Sequence, residues 1–538
     1  MSMRDDTIYL DSQTRESIFN NLISDVVEKQ PYPENYYEVA AVLESIGWND
    51  SRVNATFGMD DVFELAVEIY SVINEDVSFS SFEEKKRHTL THKANIVIKS
   101  FIRGAVFALP MAISVLSMLT LRFSLWSYEF LSVEIATCIA IGTIFSFLTV
   151  GGFMQAIARR GFLYLRQNYY NLARKITAYF IKLGYILTTL ILLSFLLFNL
   201  VFEAFPYDMM IIIILYYVFL SAIWFSVTVM YILEREFTFA GLIVAGIGIV
   251  WLLTRIFGME FIIPAQIIAL LIVAAVGLIL IFYLFRVAES KMPKGIEPAL
   301  PKKSITLYTT FPFFAYGFLY FAFLFMDRII GWSTSQSYMP YIIWFRGAYE
   351  LGLDFALIMM VVPMGFCEVV VSKLMDELAE GQKNSYGTDT AVISRQFRRI
   401  YFRRLLLVAT VSVISALVTY LVIRHLDLYP PPGFRSGFLQ SYVTHFVFVI
   451  GLISYGTVCV ALMNCVTLFS LSQPEMAGKS VLISLIVNIV VGFLLSRWIE
   501  YYFAVIGLFI GSVVFLVISS RRILEVFKKL DYYLYFQV

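Results

Sequence analysis

Apolar residues in this chain run in stretches far longer than a globular core uses. A window of about 19 predominantly apolar residues marks a membrane span, because about 20 helical residues are needed to cross roughly 30 Å of hydrocarbon. Such windows cover residues 103–122, 131–154, 177–201, 207–232, 237–256, 260–285, 305–330, 340–371, 405–424, 440–470, 480–497 and 501–520. The predicted fold is therefore all-α, a polytopic membrane protein with about 12 transmembrane helices. The divisions around Gly258 and from Arg497 to Glu500 rest on the shortest connections.

Composition agrees, with 59% hydrophobic and 15% charged residues against about 25% charged in soluble domains. The net charge of +1 conceals a division, since residues 1–82 carry 16 Asp/Glu against 4 Lys/Arg. The remainder is correspondingly basic. Cys138, Cys367, Cys459 and Cys465 each lie inside an apolar segment and read as packing residues. No signal peptide is visible, so the first span is expected to direct insertion.

Loop charge sets the orientation. Lys85, Lys86, Arg87, Lys93 and Lys99 precede the first span. Arg159, Arg160, Arg166, Arg174 and Lys175 follow the second, and Arg286, Lys291, Lys294, Lys302 and Lys303 follow the sixth. Arg395, Arg398, Arg399, Arg403 and Arg404 follow the eighth, and Arg521, Arg522, Lys528 and Lys529 follow the last. Twelve spans place all of these on one side, which is predicted to be cytoplasmic because Lys and Arg resist translocation. The expected location is the cytoplasmic (plasma) membrane, multi-pass, with both termini inside. Two Arg-rich stretches, 159–175 and 395–405, sit after spans two and eight and read as amphipathic loops. Six-span halves would be parallel repeats, although any cytoplasmic loop is basic. The predicted units are an acidic cytoplasmic helical domain (1–95), a first six-helix bundle (96–303) and a second (304–538). In the head, 34–46 and 60–73 have helical spacing, with Val62, Leu65, Ile69 and Ile73 in one stripe.

Ionisable residues within spans are costly and are functional candidates. The densest set, Arg346, Glu350 and Asp354, falls on span eight at i, i+4 and i+8, one helix face. Arg346 is expected to pair with Glu350, leaving Asp354 less compensated and roughly 21 Å in from Pro340. The face reads either as an ion-pair network between helices or as the lining of a route for a polar solute or coupling ion. On span seven Tyr316, Tyr320, Phe323 and Asp327 share a face that could carry a sugar ring, or simply meet lipid. Arg328 reads as snorkelling toward the outer end. Glu134, Arg255, Glu260, Glu368 and His445 are lesser candidates. Pro110, Pro264, Pro312 and Pro363 are expected to kink spans, and Gly241, Ala245, Gly248, Gly507 and Gly511 to permit close packing.

Catalytic and nucleotide motifs are missing. Gly478-Lys479-Ser480 ends like a P-loop, but Gln473 stands where that motif needs glycine. No cofactor or metal site is expected, nor an enzyme. Arg424 and His425, in the longest outer loop (about 425–439), keep a membrane-embedded glycan polymerase or ligase open as an alternative.

The stretches FFAYGFLYFAFLFMDRIIGW, YELGLDFALIMMVVPMGFCEV (349–369) and RRILEVFKKLDYYLYF (521–536) resemble the Pel-type exopolysaccharide transporters (PelG). That family belongs to the multidrug/oligosaccharidyl-lipid/polysaccharide exporter superfamily. The resemblance covers roughly residues 100–538, and the acidic head departs from the family pattern. It implies two six-helix bundles around a central cavity, moving a polysaccharide or lipid-linked sugar outward by alternating access during exopolysaccharide synthesis and secretion. On the physical argument alone, spans one, two, seven and eight would line the cavity, with Asp354 or Glu350 as the proton or cation site and energy from an ion gradient or from polymer synthesis pushing the chain. Expected partners are membrane lipids, the glycan substrate, and a cytoplasmic glycosyltransferase or other synthesis-complex subunits; no nucleic acid is expected. The alternative is a membrane scaffold whose head recruits a cytoplasmic glycan synthase.

Overall fold

A computed structural model describes residues 12–30, 33, 35–79, 90–105, 108–128, 130–167, 169–259, 261–290, 301–334, 343–383, 390–430 and 437–529. Outside them lie Lys85, Lys86, Arg87, Glu260, Lys291, Lys294, the centre of the 425–439 loop and the end of the 521–536 stretch. The chain forms two compact units, Met1–Asn95 and Ile96–Val538.

The first unit contains α1 (Ser12–Lys29), α2 (Tyr36–Ser45), α3 (Asp50–Phe57) and α4 (Val62–Phe79). Its stripe of Val62, Leu65, Ile69 and Ile73 is buried against Val39, Leu43 and Val53. Local signals place the short helices. Asn35 and Asn49 accept from Glu38 N and Arg52 N to cap α2 and α3, and Gly58 ends α3 at φ +76°, a conformation glycine adopts without strain.

The second unit is a helical membrane body. It runs through α5 (Leu90–Ala105), α6 (Leu109–Leu121), α7 (Val133–Arg166), α8 (Tyr170–Phe202), α9 (Tyr207–Ile232), α10 (Glu236–Arg255) and α11 (Ile262–Glu289). It continues with α12 (Lys303–Trp332), α13 (Gly347–Ile358), α14 (Val361–Lys383), α15 (Thr390–Leu428), α16 (Tyr442–Ser470), α17 (Pro474–Trp498) and α18 (Ala504–Lys528). Among the described residues 11 helical segments are long and apolar enough to span a membrane, and the shorter apolar α6 completes about twelve.

Several expectations are corrected. The first span is not one rod: α5 gives way to α6 just before Pro110. The eighth begins at Gly347 rather than near 340 and is divided between α13 and α14 at Met359–Met360. The stretch 159–166 continues α7 and 395–405 lies inside α15, so neither is a loop; Arg is a good helix former even where hydropathy ends a span. Gly478-Lys479-Ser480 lies in the first turns of α17 rather than in a loop. Pro110 and Pro264 occupy first turns, where proline is tolerated, and Pro312 is inside α12. Gly507 packs on Gly492, where an added Cβ would come within 2.6 Å of backbone, whereas Gly241 and Gly248 face open space.

Helices α6–α11 and α12–α18 repeat one pattern of neighbours. In the first set α9 packs on α7, α8, α10 and α11; in the second α16 packs on α13 and α14, α15, α17 and α18. The turns agree bond for bond. After α9, Leu233, Glu234 and Arg235 donate to Val229, Tyr231 and Met230; after α16, Leu471, Ser472 and Gln473 donate to Thr467, Phe469 and Leu468. Glu234 and Ser472, the middle residues, both have φ 55°.

The connectivity gathers Arg159, Arg160, Arg174, Lys302, Lys303, Arg395 and Arg521 at one end of the body, called here the base-rich end. At the opposite end Arg497 closes the C-terminus of α12. Its guanidinium donates to Ile330 O, Ser333 O, Ser333 Oγ, Thr334 Oγ1 and Ser496 Oγ at 2.8–3.1 Å, satisfying carbonyls a helix end leaves open. Arg497→Ala is expected to lower stability by about 2 kcal/mol, read as a lower unfolding temperature in detergent.

Candidate functional site

A cavity of about 580 Å³ opens between the two helix sets at the end opposite the base-rich one. Its walls are α6 (Ser114, Met118), α7 (Ala140, Thr143), α12 (Phe325, Arg328) and α13 (Glu350, Asp354), with Trp126 and Phe438 from connecting segments. The size is in the usual range for ligand sites of about 300–1,000 Å³. Below it a second space of about 100 Å³ is lined by Pro110 of α6, Trp224 of α9, Tyr320 of α12, Met360 and Met364 around the α13–α14 break, and Tyr455 of α16. Phe325, Arg328 and Leu357 line both.

Arg328 organises the polar floor. It is 6% exposed, and its Nη1 donates to Glu350 Oε2 and, at 3.4 Å, to Asp354 Oδ1. The second oxygen of Glu350 accepts from Trp332 Nε1 at 2.8 Å. Asp354 keeps 43% of its side chain exposed, against 6% for Glu350. One buried cation thus serves two carboxylates, of which Asp354 is open to the cavity.

The remaining candidates are distributed differently from their sequence pattern. Arg346 precedes α13 and does not share its face; it donates to Thr334 O at 2.9 Å and lies 4.6 Å over the Tyr501 ring. The charge partner of Glu350 is Arg328 on the neighbouring helix, correcting the expected Arg346–Glu350 pair. Asp354 is seven residues into α13, so it sits about 10 Å from that helix start rather than 21 Å. Asp327 is fully buried and accepts from the Tyr349 hydroxyl at 2.7 Å; its Oδ1 has no hydrogen-bond partner among the described residues. Tyr316 and Tyr320 stack at 6.0 Å, with Tyr316 edge-on to Phe469. Tyr320 reaches the smaller space and Tyr316 packs beside it, so neither faces the main cavity.

Among the lesser candidates, Glu134 is exposed in the first turn of α7, Arg255 ends α10, and Glu368 lies partly buried on α14. His445 meets the Tyr420 hydroxyl at 3.5 Å on the outside of the bundle. The four cysteines are buried and free. Sequence reasoning missed Arg328 as the central cation, Trp332 as the donor to Glu350 and Tyr349 as the donor to Asp327. An available signal was the spacing of Arg328 and Trp332, four residues apart on one face of α12.

At the base-rich end the two sets meet directly. Arg159 of α7 donates to Ser472 at 3.0 Å and lies 5.2 Å over the Phe313 ring, and Arg160 donates to Thr309 of α12. Midway along these helices, between the cavity and the base-rich end, Gly151 and Gly317 bring the α7 and α12 backbones together: a Cβ on Gly317 would stand 2.3 Å from Gly151 O. Likewise, a Cβ on Gly104 of α5 would stand 2.5 Å from Met364 O and 2.9 Å from Gly365 Cα of α14. Arg103 of α5 also pairs with Glu234, with Lys99 3.3 Å from the same carboxylate. The cavity is thus open at one end and sealed by helix contact at the other.

No protein-family model and no curated protein matches the sequence. Solved structures do share the architecture. A eukaryotic MATE transporter, AtDTX14, is 12% identical with a TM-score of 0.52, over 79% of this chain and 93% of that one. A MATE protein solved in complex with MaD3S is 14% identical with a TM-score of 0.52, over 80% and 97% of the two chains. The Vibrio cholerae MATE transporter VcmN, solved as a point mutant, is 14% identical with a TM-score of 0.50, over 80% and 97%. The chain has the fold of the MATE transporters.

Proposed function

We propose that the chain exports or flips a polysaccharide or lipid-linked sugar across the cytoplasmic membrane by alternating access, within exopolysaccharide synthesis and secretion. The observation that carries this reading is the cavity between two repeated helix sets, open at one end and sealed at the other. The transport part is supported by the transporters that share its fold, and the glycan part by the resemblance of 313–332 and 349–369 to Pel-type exporters. Because Lys and Arg mark the cytoplasmic side, the sealed end faces the cytoplasm, both termini lie there, and the cavity faces outward. The acidic head is then placed to meet a cytoplasmic glycosyltransferase of the synthesis complex.

Coupling is assigned to Asp354 and Glu350. Both compete for Arg328, so a proton or cation on the exposed Asp354 leaves Arg328 wholly to Glu350 and alters the balance between α12 and α13. A ligand shifts two states only through its differential affinity for them, and this shared cation provides such a difference. The test is gradient-driven flux of lipid-linked sugar in proteoliposomes. Asp354→Asn is expected to abolish the gradient dependence while the protein remains folded; full, still gradient-dependent flux would refute the assignment.

A further inference from the structure

We infer that Arg328 and Asp354 form a hydroxyl-binding pair that admits an uncharged sugar ring and rejects an acidic one. This rests on the glycan reading above and specifies which glycans the cavity accepts.

The inference begins with unused donors. A guanidinium carries five N–H groups. In Arg328, Nη1 is engaged by Glu350 and Asp354, and the Tyr455 hydroxyl also faces the guanidinium. Nε and Nη2 are buried without an acceptor among the described residues. Buried polar groups are rarely left so, and these belong to a side chain that lines both spaces. An oxygen-bearing ligand at the junction would meet the guanidinium through the small part of the side chain that lines these spaces.

Charge decides what kind of oxygen fits. The guanidinium already faces the carboxylates of Glu350 and Asp354, and Asp327 precedes it in sequence. The other cation lining the cavity, Arg122, is exposed beyond the end of α6, with its guanidinium 5.9 Å from the Phe130 ring. A carboxylate or phosphate brought to Arg328 would therefore enter a region where acids already outnumber the base, and like charges at close range in a partly desolvated site repel strongly. A hydroxyl adds no charge. It can accept from Arg328 while its neighbour on the same ring donates to the exposed carboxylate of Asp354. Aromatic surface for the ring is present in Phe325, Trp332 and Phe355 along the same wall.

The experiment uses the purified full chain in neutral-lipid nanodiscs and two probes of equal length, a neutral hexose tetrasaccharide and a tetrasaccharide of uronic acids. Binding is followed by calorimetry near pH 7. The neutral probe is expected to bind at least tenfold more tightly, and Asp354→Asn to narrow that ratio by weakening the neutral probe and strengthening the acidic one. Equal or tighter binding of the uronate probe by the wild type overturns the hydroxyl pair but leaves the glycan reading standing. An unchanged ratio in Asp354→Asn overturns the role of that carboxylate. Binding of neither probe overturns both the pair and the glycan reading.

Discussion

Arg328→Ala is expected to lower stability by about 3–5 kcal/mol, the usual consequence of removing one partner from a buried ion pair. The loss arises from what remains. Glu350 is 4% exposed and has Trp332 as its only other hydrogen-bond partner among the described side chains. Without Arg328 it is a buried carboxylate with no cation, and Asp354 loses its partner at the same time. Replacing a buried pair with well-packed neutral groups is often tolerated. The double variant Arg328→Met with Glu350→Gln should therefore recover most of the stability, since Gln still accepts from Trp332. It should not recover transport. Unfolding temperature in detergent and flux in proteoliposomes give the two readings. Recovery of both would reduce Arg328 to a structural tie between α12 and α13.

Gly317→Val is expected to break the seal between the cavity and the base-rich end. The atom its Cβ would meet, Gly151 O at 2.3 Å, belongs to the backbone of α7 and cannot rotate away as a side chain would. Overpacking of this kind costs about 1–3 kcal/mol, and here it falls on the state in which α7 and α12 touch. A bias of that size shifts the ratio of two states by about 5- to 150-fold. Spin labels at the exposed positions Leu163 on α7 and Tyr308 on α12 should report a longer distance in the variant, with reduced flux. Gly104→Val should act similarly through α5 and α14. An unchanged distance in both variants would mean that these contacts do not form a gate.

The helical body was legible because hydrocarbon thickness imposes long apolar runs, and the charged ends followed from the distribution of Lys and Arg. Span four shows this well, since the expected 207–232 is also the extent of α9. Helix boundaries at charged ends were less legible: α7 and α15 continue through Arg-rich turns that hydropathy reads as loop. The repeat was visible only as two similar basic stretches, whereas the structure expresses it in turns after α9 and α16 whose side chains differ but whose backbone bonds agree. The site was half legible. Glu350 and Asp354 could be singled out as intramembrane acids, but periodicity within one helix pointed to Arg346 as their cation. The actual partner, Arg328, lies 22 residues before Glu350 on another helix, and pairing between helices leaves no trace in the spacing of either. The same limit hid Tyr349 as the donor to Asp327 and the meeting of Gly151 with Gly317.

Access to the cavity from each side of the membrane tests alternating access most directly. Ala140 on α7 lines the cavity and is partly exposed, so Ala140→Cys in a background with the four native cysteines replaced gives a single reporter. A membrane-impermeant thiol reagent is applied to right-side-out and to inverted vesicles, with and without Gly317→Val. Alternating access with an outward-open resting state predicts labelling of the parent predominantly from the outer face, and a shift toward the cytoplasmic face when the seal is broken. Equal labelling from both faces of the parent, or from the outer face alone in both proteins, would contradict it.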